Sequence, residues 1–344
     1  MTTGKSLDEN QHTGNPLSRL DKVEIETVTK PRQRCLCNTT EVAVAGNDVR
    51  SEVQNSCFFG YLDILGFKNI VEQSSFNQLK GIVEDFTVKC AEAIDMSRCV
   101  GTNTGRVITK VKFESGVHAR IVSDSIYVWT ENDDRLKQFD DLLRIVNAML
   151  SSGFQQGLPL RGVVTFGELF LGSVKISGDI PLDIPFDNGS VYGRALVEAY
   201  KLESQMDWSG VLLTPRAWAK VIDEFEMSSK SEENAIMRSG NIKSPTDLFN
   251  HFPHLIWYDV PFKGGNRKNA IAFNWNYKPC FDFSAEKIRK AFIERCDVVN
   301  DTVRVKLDET LRFYEYTQRV TELCDFGLKG KLPVPDSDYI LSTL

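Results

Sequence analysis

Apolar residues fall into short runs separated by polar turns from Cys57 onward, whereas residues 1 to 54 are polar and lack a sustained period. The run Cys57-Phe-Phe-Gly-Tyr-Leu-Asp-Ile-Leu, ending at Gly66, reads as a buried strand. A helical period through Leu79, Ile82, Val83 and Phe86 follows. Val107 to Phe113 and Ala119 to Trp129 read as strands, the second bent at Ser123-Asp124, so that Asp124 sits at a hairpin tip. Phe139, Leu142, Leu143, Val146, Met149 and Leu150 recur at helical spacing. Leu160 to Ser173 reads as a glycine-containing strand that turns into another, and a Pro- and Asp-rich loop covers Asp179 to Gly189. Val191 to Ser204 then has helical spacing through Leu196, Ala199 and Leu202. The order strand, helix, strand, strand, helix, strand contains the β-α-β-β-α-β ferredoxin-like unit. The expected class is therefore α+β, an antiparallel or mixed sheet flanked by helices.

Beyond this unit, Val211-Leu-Leu predicts a short strand, and Pro215 opens a helix, where proline's fixed φ and missing N–H cost nothing. Residues 226–253 read as an insertion. Leu255 to Phe262 and Ala270 to Trp275 predict two strands that complete the sheet across a Gly-Gly turn. Ile288, Ala291 and Phe292, then Leu307, Leu311, Tyr314 and Val320, predict helices in a C-terminal appendage that packs on the core or on a partner. The division expected is an N-terminal extension over 1–54, a central domain over 55–280 and the helical appendage over 281–344.

At 344 residues the chain can bury a substantial core. Its net charge of -6 argues against a nucleic-acid-binding surface as its main business. Eight cysteines are scattered, only Cys35 and Cys37 lie close together, and no pair of CxxC motifs suggests zinc. His118, His251 and His254 form no metal-ligand pattern. No signal core and no run of about 20 apolar residues is present, so a soluble cytoplasmic protein with reduced thiols is expected.

Two carboxylates stand out because each lies in or beside a hydrophobic strand signal: Asp63 in Gly60-Tyr-Leu-Asp-Ile-Leu-Gly-Phe-Lys68, and Asp124 in Val122-Ser-Asp-Ser125. Desolvating a carboxylate is costly unless it meets a cation, so the pair points to a shared divalent metal site. Arg161 reads as a structural residue that pairs with a carboxylate near the sheet.

These segments resemble class III nucleotidyl cyclases. Tyr61-Leu-Asp-Ile-Leu-Gly-Phe67 resembles the family's F-x-D-I-x-G-F opening, and Ser123-Asp124 its Gly-Asp hairpin. Arg161-Gly-Val-Val-Thr-Phe-Gly167 echoes R-x-G-x-x-x-G, and Gly193 to Glu203 echoes G-x-x-V-N-x-A-x-R-L-E. The resemblance implies a ferredoxin-like catalytic core over 55–280. It also implies two divalent ions (Mn²⁺ or Mg²⁺) held by Asp63, Asp124 and the Ile64 carbonyl. The backbone of Leu65, Gly66, Phe67 and Lys68 is expected to receive the β- and γ-phosphates. The family forms its sites across a head-to-tail pair, so a homodimer is expected.

Departures from the family pattern refine the expectation. Val197 stands where purine cyclases place a ribose-binding asparagine, and Lys201 where they place the arginine that stabilises the transition state. Lys201 is the expected catalytic cation, supplied by the opposing subunit. Arg120 and Ser190 occupy the base-reading positions, matching neither the adenine- nor the guanine-selecting pair. This altered set is similar to the bacterial pyrimidine cyclases of Pycsar anti-phage systems, which make cyclic UMP or cyclic CMP. Arg120 offers donors to carbonyl oxygens, and uracil has two carbonyls where cytosine has one and an amine, so UTP is favoured over CTP. Tyr61, on the strand face of Asp63, is expected to size the pocket for a small ring. A separate effector with a cyclic-nucleotide-binding domain is expected to sense the product, with no nucleic-acid or membrane partner. Two other classes remain open. One is a different two-metal enzyme of palm-like architecture, disfavoured by the lack of a GGDEF turn. The other is a cyclase-like nucleotide-binding dimerisation module without catalysis, which Val197 keeps alive.

Overall fold

The long strand β1 (Ser51–Ile64) lies at the centre of the fold, and its two faces serve different ends. Successive side chains of a strand point to opposite sides. Phe58 packs 4.7 Å, ring to ring, from Phe139 of helix α3 (Arg135–Gln155), and Val146 of the same helix fills the space beside Gly60. On the opposite face, Tyr61 meets Tyr200 of helix α4 (Arg194–Glu203), with ring centroids 6.0 Å apart.

In the computed structural model, the described residues are 51–97, 99–101, 108–110, 116–131, 135–174, 188–229, 245–277, 283–296 and 300–325, all within the unit Thr40–Leu344. After β1 come α1 (Phe67–Gln73) and α2 (Phe76–Ser97), then the short strands β2 (Cys99–Gly101) and β3 (Ile108–Lys110), which pair with each other. The hairpin of β4 (Val117–Val122) and β5 (Ser125–Thr130) follows, then α3 and β6 (Leu160–Val174). Next are β7 (Asn188–Tyr192), α4, β8 (Val211–Leu213) and α5 (Pro215–Ser229). The remaining elements are α6 (Pro245–His251), β9 (Leu255–Pro261), β10 (Arg267–Phe273), α7 (Ala285–Arg295) and α8 (Asp301–Asp325).

One mixed sheet runs β4-β5-β1-β6-β8-β10-β9, with β7 paired to the far half of β6. Its first four strands, with α2 and α3, reproduce the ferredoxin-like unit: β1 is flanked antiparallel by β5 and β6, and β4 lies outside β5. The α+β class expected from the order of elements is the class observed. β6 then pairs parallel with β8 through the α4 crossover, and β9 and β10 complete the sheet as anticipated. The C-terminal helices pack directly onto this sheet region. Phe313 of α8 lies 4.4 Å from Trp208 and 4.7 Å from Tyr258, ring to ring, and the Tyr316 hydroxyl donates to the Trp257 carbonyl at 2.8 Å.

β7 (Asn188–Tyr192) is a strand where the end of a loop and the opening of a helix from Val191 were expected, and two further strands differ from the sequence expectation in extent. β1 begins at Ser51, because Ser51 to Gln54 pair with Leu169 to Gly172 after a register shift at Gln54/Cys57. The polar stretch there is held by ladder hydrogen bonds, which leave no apolar signature. β6 is one strand of 15 residues, without the expected turn. Its glycines permit close approach instead: a Cβ at Gly162 would lie 2.3 Å from the Tyr61 carbonyl oxygen of β1. Residues 1–50 of the predicted arm over 1–54, most of the strand Val107–Phe113, residues 179–187 of the loop Asp179–Gly189, the insertion's centre at 230–244 and the last residues 326–344 lie outside the described residues.

Gly162→Ala should destabilise the protein by roughly 2–4 kcal/mol, because backbone atoms of a central strand must move to admit the methyl group. Urea denaturation monitored by circular dichroism would check this.

Candidate active site

The site begins where β1 meets the β4–β5 hairpin. Asp63 lies opposite Ser125 of β5, and the Ile64 N–H donates to the Asp124 carbonyl at 2.9 Å. The hairpin tip is thereby fixed beside the end of β1. Ser123 turns the corner at φ 58°, a left-handed conformation that a two-residue hairpin demands and a serine adopts only at a cost. In-register neighbours share a face of the sheet. One row across β4, β5, β1 and β6 is therefore Val122, Ser125, Asp63 and Arg161, and the next is Arg120, Tyr127, Tyr61 and Val163.

Asp63 is held from behind by Arg161, whose guanidinium lies 3.6 Å from its carboxylate. The same guanidinium forms an ion pair with Glu203 at the end of α4 and donates to the Met206 carbonyl at 2.9 Å. Glu203 and Arg161 are buried. The structural role expected of Arg161 is the one it has here.

The charges are in tension. Burial pushes the Asp63 carboxyl up from 3.8 to about 7, and Glu203 and Asp124 push the same way, against Arg161 and Lys306. Burial likewise raises Glu203, offset in part by Arg161. Glu203 and Asp124 thus both act on the Asp63 carboxylate, opposed by one guanidinium and the ammonium of Lys306 on α8. Lys306 is itself lowered, first by burial and then by Arg161. Adding positive charge beside Asp63 and Asp124 relieves this repulsion, so the site fits a divalent cation on electrostatic grounds. Among the described residues no group of three or more His, Cys, Asp or Glu side chains is arranged as a ready-made metal cage. Two carboxylates and the Ile64 carbonyl would make an all-oxygen set, of the kind that suits Mg²⁺ or Mn²⁺ keeping water and substrate phosphate as further ligands.

Tyr61 is buried, and burial pushes its phenol up to about 12. Its hydroxyl shares a 3.2 Å hydrogen bond with the Ser125 hydroxyl, and its ring lies 5.9 Å from that of Tyr127. Tyr61 and Asp63 therefore face the same side, as strand alternation requires. Arg120 is exposed on the edge strand β4, in the Tyr61 row.

The phosphate run is shorter than expected. The Leu65 N–H is spent on the Pro159 carbonyl at 2.9 Å, and its side chain is buried, so Leu65 offers no donor. Gly66, at φ 78°, leads into α1, followed by Phe67 and an exposed Lys68 that reaches Glu72 at 3.7 Å. Lys201 lies on the exposed side of α4 with Val197 and Tyr200, opposite the side that buries Ala195, Ala199 and Glu203. It faces away from the Arg161–Glu203 pair of its own chain. Ser190 lies opposite Gly172 in β7, and its side chain is outside the described residues.

Residue patterning alone assigned no role to Glu203, Lys306, Tyr127 or Tyr200. Glu203 had a signal: it follows Ala195 and Ala199 at i+4 steps, which places a carboxylate on the buried side of α4. Lys306 had none, because its approach depends on where α8 packs.

No family model matches the chain, and no curated protein matches it. Among solved structures, it is similar to the adenylyl cyclase CyaB from P. aeruginosa at 14% identity and a TM-score of 0.37, over 64% of this chain and 95% of that one. Two structures of a bacterial light-regulated adenylyl cyclase are similar at 13% identity, with TM-scores of 0.38 and 0.39 over 71% and 74% of this chain. The likeness spans 58% of each of those two chains. Likenesses this loose say nothing of substrate, and the fold class above rests on the strand order itself.

Removing Arg161 leaves Asp63 and Glu203 facing each other in a buried pocket. Arg161→Met should therefore cost about 3–5 kcal/mol of stability. Asp63→Asn should do the opposite in metal-free protein at pH 8, raising stability by roughly 1–2 kcal/mol by relieving the crowding of carboxylates. Thermal melts in the presence of a chelator would check both.

Proposed function

We propose that this chain is a nucleotidyl cyclase and, more narrowly, a uridylate cyclase that converts UTP to cyclic UMP and pyrophosphate. The observation that carries the reading is the junction of β1 with the β4–β5 hairpin. It sets Asp63 and Asp124 side by side at the end of a ferredoxin-like sheet, in segments that resemble class III cyclases. Ser123 keeps the left-handed turn that the family gives to glycine.

Cyclisation requires the ribose 3'-hydroxyl to attack the α-phosphorus while pyrophosphate departs. A pair of divalent ions, when bound, supplies activation of that hydroxyl and neutralises the leaving group. Asp63, Asp124 and the Ile64 carbonyl are the residues to hold them. The backbone of Gly66 to Lys68 is the candidate phosphate contact. Charge building on the phosphoryl oxygens calls for a positioned cation, and the exposure of Lys201 on α4 suits delivery into the site of a second copy. Val197 and Tyr200, exposed beside it at 51% and 57%, supply apolar surface for that contact. A homodimer then has two equivalent sites.

The Arg120–Tyr127–Tyr61 row supports the proposed choice of base. Tyr61 fills space next to Asp63, leaving room for a small ring, while Arg120 offers donors to the two uracil carbonyls. The resemblance adds Ser190 of β7 as the second base-reading position. The resemblance to Pycsar cyclases adds a role in anti-phage defence, a cytoplasmic location and a separate effector that senses the product. Among the described residues no helix is long and apolar enough to cross a membrane.

Incubating the purified protein with each of the four ribonucleoside triphosphates and Mn²⁺ or Mg²⁺, with mass identification of products, tests the reading. Cyclic UMP that vanishes in Asp63→Ala and in Asp124→Ala is the expected result. Cyclic CMP would keep the mechanism and overturn the base assignment. If no triphosphate is turned over, even with lysate of phage-infected cells added, a nucleotide-binding module without catalysis becomes the better reading. The trans arrangement has its own test. Asp63→Ala and Lys201→Ala proteins, each inactive alone, should regain about one quarter of wild-type activity when mixed and allowed to exchange, since half the dimers then carry one intact site.

A further inference from the structure

The residues that fix Asp63 are themselves fixed by the C-terminal helix α8, outside the ferredoxin-like unit. Arg161 donates to the carbonyl of Met206, in the segment between α4 and β8. That segment is tied down on two sides. On one, the Asp207 N–H donates to the Pro261 carbonyl at 3.1 Å, and the Lys263 N–H to the Gln205 carbonyl at 2.7 Å. On the other, the Ser209 N–H donates to Thr310 Oγ of α8 at 2.8 Å, and Thr310 Oγ donates to the Lys306 carbonyl at 2.6 Å. Trp208 packs on Phe313, one turn along the same helix face as Thr310. Ser209 Oγ donates to the Leu160 carbonyl at 2.7 Å, and the Gly162 N–H donates to the Gly210 carbonyl at 3.0 Å, which bracket Arg161 on β6.

From these contacts we propose that α8 belongs to the metal-binding apparatus, and that Thr310 is a positioning residue acting through Ser209, the Met206 carbonyl and Arg161 on the Asp63 carboxylate. Two features set Thr310 apart from ordinary packing. It is fully buried, and its hydroxyl spends both its acceptor and its donor capacity, so its orientation is determined. The loop it holds presents a backbone carbonyl to a guanidinium, and that guanidinium touches the candidate metal ligand. A shift of the loop moves the anchor of Arg161, and Arg161 can then follow Glu203 and release Asp63. Outer-shell groups of this kind tune metal affinity without touching the metal. Lys306, one turn before Thr310, brings a cation from the same helix into the electrostatic environment of Asp63 and Glu203.

The proposal rests on the reading of Asp63 as a metal ligand, and its test separates the two. Mn²⁺ binding to the full chain is measured by calorimetry without nucleotide. Asp63→Asn should abolish it; Mn²⁺ binding unchanged in that variant would sink the metal reading and this proposal with it. Given that control, Thr310→Val, which keeps the shape and loses the hydrogen bonds, should weaken Mn²⁺ binding on the order of 10-fold. Thr310→Ser should restore it. In an Arg161→Lys background the valine should add less than about 2-fold, because the route through the guanidinium is already cut. Wild-type affinity in Thr310→Val, or a loss that adds in full to that of Arg161→Lys, overturns the proposal. If the valine protein does not fold, Phe313→Leu takes its place by loosening α8 on Trp208 of the same segment: a weakened affinity supports the proposal and a wild-type one overturns it.

Discussion

The guanidinium of Arg161 is the interaction on which the rest of the site depends. It is buried between two carboxylates from different elements, Asp63 on β1 and Glu203 at the end of α4, and it reaches the Met206 carbonyl beyond them. A single point charge could offset one carboxylate, but the planar fork of arginine can address two carboxylates and a carbonyl at once. Without that guanidinium the carboxylates of the strand and the helix would repel one another, and the loop carbonyl would lose its donor. Desolvation would then drive them apart or protonate them.

This arrangement divides the sheet into two working faces. The face toward α2 and α3 is apolar, with Phe58 and Leu62 fully buried. The face toward α4 carries Tyr61, Asp63, Arg161 and Thr165, and α4 meets it with Tyr200, Glu203 and Glu198, the last accepting a 3.0 Å hydrogen bond from Thr165. The strand period makes the division possible, since one chain segment supplies a hydrophobic core on its even positions and chemistry on its odd ones. The apolar face contributes stability, and the polar face spends part of it. A partly buried Asp63 raised to about 7 is a liability for an empty fold and an asset for one that receives a cation.

The C-terminal helices change how that expenditure is supported. α8 packs against Trp208 and Tyr258 and accepts the Ser209 N–H, so the segment after α4 lies between the helix and β6. An element that reads in the sequence as an appendage thus sits one hydrogen-bonded loop away from the centre of the site. The physical reason is economy of buried polar groups. The loop has N–H and carbonyl groups that must be paired once α8 covers it, and Thr310 and Arg161 each take one.

The sequence by itself determined the order of elements, the ferredoxin-like unit and the two acidic positions, because these depend on local periods and on charged residues standing within apolar runs. Asp63 in Tyr-Leu-Asp-Ile-Leu and Asp124 at a two-residue turn were legible for that reason. It also contained, unnoticed, the buried placement of Glu203, since Ala195, Ala199 and Glu203 lie on one side of a helix. The tertiary structure alone decided which groups meet. That the Leu65 N–H is consumed by Pro159, that β6 runs unbroken past its glycines, and that α8 brings Thr310 and Lys306 behind Arg161 all depend on contacts between residues far apart in the chain. No local period encodes such contacts: strand pairing is set by backbone hydrogen bonds common to every residue, and helix docking by the summed shape of surfaces that form only after the elements themselves.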